Sequence, residues 1–419
     1  MNNHSSRQRD VALIGMLAAT MLAGPALADP APPFAQLLRQ AQQAPHVEAL
    51  QSDVERAQGL AVQARARPNP TVSLYGENFA GSAPYNGFGG TQTTFQVNQP
   101  LELGGKRAAR IEAGQAGVIA AQLRSQEGRL TFAFDLARAY AAVEVADKRI
   151  ELAEDEVEEA TADLALARAL VASGKEARLR SLQAETELNT LQADLVVTQA
   201  NRKAALLRLS ALAGVETPFT ALGESLLDRQ TARSAMGPID PMQTAMVRVA
   251  EAEGDAARRR VTLQRKAAIP DVTLQFGVRR LEQERSNTLV AGISVPLHIF
   301  DRNRGNIAAA QAEERGAQAR LADAKLEARA EIEAGQALLE AADARVQATV
   351  KTLATAQETY RLARIAYEAG KSPLIELLAS RHGLGIARGV RLDAVAASLD
   401  ARANLARLKG LTITGEPVQ

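Results

Sequence analysis

Reactive side chains are sparse in this sequence and badly spaced for cooperation. The histidines are His4, His46, His298 and His382, and no two of them are close enough in sequence to form a His-x-x-x-His pair or a similar ligand spacing; a resident metal centre is not expected. Cysteine is absent, which excludes thiol nucleophiles, thiolate ligands and a disulfide framework. Neither a Gly-x-Ser-x-Gly elbow nor a phosphate-binding glycine loop occurs, and Gly87-Phe88-Gly89-Gly90 lies between two strand-like segments, where it reads as a flexible loop. The acidic run from Glu151 to Glu159 is interrupted by Val157 and reads as a solvated helix face. No catalytic residue, cofactor or bound metal is therefore expected, and the chain does not read as an enzyme. The net charge of +1 leaves no excess of basic residues for nucleic acid.

What the sequence does contain is itself, twice. Pro70-Thr71-Val72-Ser73-Leu74 returns as Pro270-Asp271-Val272-Thr273-Leu274, an offset of 200 residues. From Gln99-Pro100-Leu101 onward the offset is 196: Leu166-Ala167-Arg168 and Ser173-Gly174-Lys175 return as Leu362-Ala363-Arg364 and Ala369-Gly370-Lys371. A unit this long is a duplicated fold with pseudo-twofold symmetry rather than a solenoid repeat. The expected organisation is a first repeat over 29–216, a linker over 217–241, a second repeat over 242–410 and a tail over 411–419. Residues 1–28 read as a cleaved export signal: Arg7 and Arg9 precede an apolar run from Val11 to Leu22, and Ala26-Leu27-Ala28 ends it.

Each repeat combines a short helix, a hairpin and two long helices. Segments 71–79, 91–98, 271–279 and 287–295 alternate apolar and polar residues, with Val72 and Leu74, Phe95 and Val97, and the series Val272, Leu274, Phe276, Val278 on single faces. At about 9–11 residues each is long enough to cross a bilayer as a tilted strand. The hairpins are placed at 71–98 and 271–295, and Pro70, Pro100, Pro270 and Pro296 mark their junctions with helices. No apolar run beyond the signal is long enough for a spanning helix, so membrane entry would have to use strands. Four strands cannot close a barrel, because open edges in lipid leave backbone groups unpaired. Such a chain must share its pore wall with copies of itself.

Long helices are expected over 101–172 and 304–368, with return helices over 176–213 and 374–409 and shorter helices near 46–67 and 246–268. The lower half of each long helix carries a heptad: Leu136, Val143, Ile150, Val157, Leu164 and Val171 in the first, Ile332, Leu339, Val346, Leu353, Tyr360 and Tyr367 in the second. Small residues, chiefly Ala139, Ala146, Ala160 and Ala167, occupy the companion seam. A seven-residue period means left-handed supercoiling and close helix approach. Gly174 and Gly370 fall where these helices end.

Hairpin, very long helix and return helix, duplicated, resemble the outer-membrane factor (TolC-like) family. Gln99-Pro100-Leu101-Glu102-Leu103-Gly104-Gly105-Lys106-Arg107 is similar to the strand-to-helix junction of its heavy-metal, CzcC-like branch. The resemblance implies a mainly α homotrimer with a β-barrel part: a 12-stranded outer-membrane barrel continuing into a periplasmic α-helical barrel. It implies a channel in a tripartite efflux system, working with a periplasmic adaptor and an inner-membrane RND-type pump and passing heavy-metal cations. Drug efflux or type I protein secretion would use a similar tunnel, and a periplasmic coiled-coil adaptor or scaffold is the reading from another class. Family members narrow the tunnel after the second tip glycine, which places Glu376, Lys371 and Tyr367 at the entrance, with Arg178 and Arg180 positioned to pair with Glu376. A second acidic position of the pattern is Ala379 here. The tips Gly174, Lys175 and Leu179, and Gly370, Lys371 and Leu377, are the expected adaptor contacts.

Overall fold

In a computed structural model of the chain, residues 29–83, 85–227 and 237–417 are described; the expected export signal at 1–28 lies outside them. Helices α1 (Phe34–Gln40) and α2 (Pro45–Arg65) lead to strands β1 (Thr71–Glu77) and β2 (Gln92–Leu101). Helices α3 (Lys106–Ala172) and α4 (Arg178–Leu212) complete the first half. The second half repeats the order as α5 (Ala245–Ala267), β3 (Val272–Leu281), β4 (Ser286–Ser294), α6 (Arg304–Glu368) and α7 (Leu374–Leu408).

With 67 and 65 residues, α3 and α6 are each roughly 100 Å long at 1.5 Å per residue. Neither contains proline, and alanine, leucine, glutamate and arginine dominate both, so local propensity agrees with the tertiary arrangement. None of the heptad residues in either helix is fully exposed, and Leu136, Val143 and Ala167 are completely buried. Helix α3 runs between α2 and α4 on one side and α5 and α7 on the other, and α6 lies beyond the α5–α7 pair. The short helix and the return helix stack end to end. Gly214, just past α4, adopts φ +71°, and a Cβ there would come within 3.2 Å of Ala44, immediately before α2.

Where those helices meet, α3 and α4 contribute Phe132, Leu136, Tyr140, Val143, Leu206 and Leu209 to one core, and Phe34 and Leu37 of α1 close over it. The first part of 217–241 lies there too: Phe219, Leu222, Leu226 and Leu227 pack on the same core, whereas Ile239 packs beside Ile332, Leu405 and Leu408. Tyr140 Oη donates to the Glu224 carbonyl at 2.8 Å, and the buried Glu144 carboxylate accepts the amides of Leu226 and Leu227 at 2.8 and 3.1 Å.

Two boundaries differ most from the sequence-based expectation. Strand β2 continues to Leu101 rather than stopping near Asn98, because β3 accompanies it to Leu101↔Val272. Its pairing with β1 has already ended at Thr71↔Asn98, so Pro100 sits where one side of the strand has no neighbour and its missing N–H is tolerated. Helix α3 accordingly starts at Lys106, not Leu101. Gly104 and Gly105, at φ +67° and +77°, make the turn, and a Cβ on Gly104 would fall 2.3 Å from the Ile269 side chain.

Candidate channel entrance and pore wall

The strands form one antiparallel sheet in the order β1-β2-β3-β4. Its register gathers Val72, Leu74, Phe95, Val97, Leu274, Phe276, Val278, Leu289, Ala291 and Ile293 on one face. The other face carries Ser73, Glu77, Gln92, Thr94, Gln96, Asn98, Gln275 and Arg279. Exposure is inverted relative to a soluble sheet: Leu289 is 88% and Ile293 71% exposed, whereas Thr94 is 2% and Gln96 9% exposed. The polar face is internally bonded. Arg279 donates to Thr94 Oγ1 at 2.9 Å and Gln92 Oε1 at 3.3 Å and lies 3.2 Å from Glu77, while Asn98 Nδ2 donates to Ser73 Oγ at 3.0 Å. Apolar outside and polar inside is the pattern of a transmembrane barrel wall. Among the described residues, both edge strands, β1 and β4, have one side unpaired.

At the opposite end of the rod the two tips are built alike. Each long helix closes with a Schellman arrangement around a left-handed glycine: Lys175 N bonds to Leu170 O at 2.9 Å and Gly174 N to Val171 O at 3.0 Å, matched by Lys371 N to Ala366 O at 2.8 Å and Gly370 N to Tyr367 O at 2.9 Å. Glu376 and Lys371 are exposed, and Glu376 lies in the first turn of α7, where a carboxylate is favoured by the helix dipole. Arg178 is exposed and Arg180 half-buried. Arg180 occupies in α4 the place Glu376 occupies in α7, each the third residue of its helix.

Two details of these residues are visible within one chain. Arg180 donates to Gln183 at 3.0 Å and approaches Glu176 at 3.9 Å; among the described residues neither arginine pairs with Glu376 within one chain. Leu377 and Tyr367 are not surface residues. With Leu164, Ala184, Tyr360, Leu374 and Leu384 they form the tip's core, Leu377 at 0% and Tyr367 at 1% exposure; the heptad of α6 turns Tyr367 inward, and Leu377 lies on the buried face of α7 with Leu374 and Leu384. Burial, with Glu176 nearby, raises the Tyr367 phenol above its ordinary pKa. Gly174, Lys175, Gly370 and Lys371 remain exposed, as does Leu179 at 59%.

A charged cluster just above the tip is absent from the sequence-based expectation. Arg381 of α7, 3% exposed, lies 3.4 Å from the buried Asp163 of α3 and donates to Glu187 of α4 at 3.0 Å. Tyr360 of α6 donates to Asp163 Oδ1 at 3.5 Å. Burial raises the Asp163 carboxyl to about 6 against the opposing pull of Arg381 and Arg364, and burial beside Asp163 pushes Tyr360 up to about 12. Part of the acidic run is drawn in as well. Glu159 meets Arg388 at 2.9 Å, and burial raises the Glu156 carboxyl, whereas Glu151 stays on the surface beside Lys148. The only local sign in sequence was an aspartate one place before the heptad residue Leu164. Among the described residues, no group of three or more potential ligands is arranged to hold a metal ion.

Comparison with known proteins covers most of the chain. The model of the family described as outer membrane efflux protein matches residues 37–215 and 243–411. Over 403 residues the chain is 39% identical to the nickel-cobalt-cadmium resistance protein NccC of Alcaligenes xylosoxydans xylosoxydans, covering 96% of this chain and 92% of that protein. It is 41% identical over 299 residues to the nickel and cobalt resistance protein CnrC of Cupriavidus metallidurans, 71% of each chain. Crystal structures of CusC superpose with a TM-score of 0.78 at 18% identity, over 90% of this chain and 92% of that one, a likeness of fold.

Proposed function

The chain belongs to the outer membrane efflux protein family, and from that premise we propose that three copies close one pore that passively conducts heavy-metal cations from a tripartite RND-type efflux system to the exterior. The observation that carries this reading is the sheet: an apolar exposed face, a polar bonded face and two open edges. In lipid those edges must be paired, and copies of the same chain supply matching strands. Three copies, the number the family resemblance implies, give twelve strands around the polar lumen. The helices continue the tunnel into the periplasm, where an inner-membrane pump and a periplasmic adaptor deliver the cargo. Nickel, cobalt and cadmium are the first candidates, since the similar proteins NccC and CnrC are named for resistance to them. The protein supplies the path and not the driving force; selection of the ion lies mainly with the pump.

At the entrance, three copies place Glu376 and Arg180 at alternating, equivalent positions around the axis. Pairing between neighbouring copies then holds the entrance narrow, with Lys371 and Arg178 adding charge at the rim. The exposed tip residues Gly174, Lys175, Leu179, Gly370 and Lys371 are the adaptor contacts. The decisive experiment deletes the gene and compares growth on nickel, cobalt, cadmium and zinc salts with growth on antibiotics. Sensitivity to the metals alone, restored by the gene, is expected. Unchanged metal tolerance with new antibiotic sensitivity would replace this cargo with organic compounds.

A further inference from the structure

The seam that joins one copy to the next has a template inside each chain. The first repeat meets the second along β2 on β3 and α3 on α5. Along that seam Gln99 opposes Leu274, Leu101 opposes Val272, and Arg124 lies 2.8 Å from Glu253. The repeat offsets of 196 and 200 residues carry Gln99, Leu101 and Arg124 onto Val295, Leu297 and Arg320, and Leu274, Val272 and Glu253 onto Leu74, Val72 and Asp53. The second set lies on the two flanks that have no partner within the chain: β4 and α6 on one side, β1 and α2 on the other.

These flanks are unfinished in a way the template explains. Strand β4 ends at Ser294, the equivalent of Asn98, yet β2 continues for three paired residues beyond Asn98 because β3 is beside it. Lacking such a neighbour, Val295 is 44% and Leu297 77% exposed, and Phe300, equivalent to the Gly104 that abuts Ile269, is 98% exposed. Arg320 is exposed and makes no ion pair among the described residues, and Asp53 reaches only Arg56 in its own next turn, at 3.3 Å. Charge is complementary across the proposed seam, as in the template.

We propose that β4 and α6 of one copy dock on β1 and α2 of the next in the register of the internal seam, so that Val295 opposes Leu74, Leu297 opposes Val72 and Arg320 pairs with Asp53 of the neighbouring copy. The inference rests on the trimer reading above and adds its register. Strand β4 then grows to Leu297. Face parity agrees: Val295 and Leu297 continue the apolar row of Leu289, Ala291 and Ile293, and Val72 and Leu74 share that face. A slip of one residue would set the apolar row of one strand against the polar row of its neighbour.

The absence of cysteine makes the test clean. Directly opposed antiparallel residues have Cα atoms about 4.5–5.5 Å apart, within reach of a disulfide. The double variant Val72→Cys with Leu297→Cys, purified in detergent and oxidised, is expected to run on a non-reducing gel as a ladder ending at the three-chain mass. The control pair Val72→Cys with Ile293→Cys, four residues out of register, gives no ladder. The in-chain pair Leu101→Cys with Val272→Cys loses its thiols without a change of mass. A three-chain native mass with no ladder from the 72–297 pair, or with one from 72–293 instead, overturns the register and leaves the trimer standing. A one-chain native mass removes the trimer itself. A second variant set does not depend on oxidation: Arg320→Asp lowers the temperature at which the trimer dissociates, and adding Asp53→Arg restores it. A further loss in the double variant contradicts the pairing.

Discussion

Asp163 and Arg381 hold α3, α4 and α7 together through charges that water barely reaches, so their behaviour depends on pH. The Asp163 carboxyl is raised to about 6 by burial, above its ordinary value near 4. The folded state therefore binds this proton more readily than the unfolded chain, and its contribution is most favourable below about 4 and falls away as pH rises towards 6. Hydrogen exchange of the tip amides should accelerate across that window, and Asp163→Asn should flatten the dependence. Arg381→Met leaves Asp163 without its cation; removing one partner of a buried pair costs about 3–5 kcal/mol. Because the carboxyl can take up a proton instead, that loss should be larger at pH 8 than at pH 5, and an equal loss at both would contradict the pairing. At the rim, Glu376→Gln or Arg180→Gln should raise single-channel conductance in planar bilayers several-fold; an unchanged conductance would remove the interchain pairing from the account. Glu376 entered the sequence reading only through the family resemblance, which implies an acidic residue after the second tip glycine. The Asp163–Arg381 pair was not, because its partners are far apart along the chain and meet only through the way α7 lies against α3.

The helices show the same division between what local pattern carries and what packing adds. Heptads, tip glycines and the absence of proline marked the extents of α3 and α6 closely, because propensity, period and capping agree there. Leu136 is fully buried, and Leu136→Ala should destabilise the rod's middle by about 2–5 kcal/mol, read as faster exchange of neighbouring α3 amides with the tips unaffected. Gly370 adopts φ +67°; a β-branched residue there is strained by about 1–3 kcal/mol, so Gly370→Val should loosen the α6–α7 tip in a limited-proteolysis assay. Protection unchanged from the parent would contradict the cap. The heptad already marked Tyr367, but the burial of Leu377 and the passage of β2 through Pro100 escaped local reading. Both depend on which neighbour lies alongside: α3 and α6 in one case, β3 without β1 in the other.

For the whole molecule, the duplication and the membrane-length strands were legible, since they follow from length and alternation, and from the cost of unpaired backbone in lipid we propose that copies share the pore wall. The cargo was not legible from the residues themselves, only implied by the resemblance of the 99–107 junction, since a channel needs few residues specific to its ion. Neither was the inverted sheet in detail: which side chains look outward is set by a register across four strands. That sheet is the centre of the account, and the native mass of the purified protein in detergent tests it most directly. Three chains with bound amphiphile are the result expected. A single chain, monodisperse in water without detergent, would contradict it.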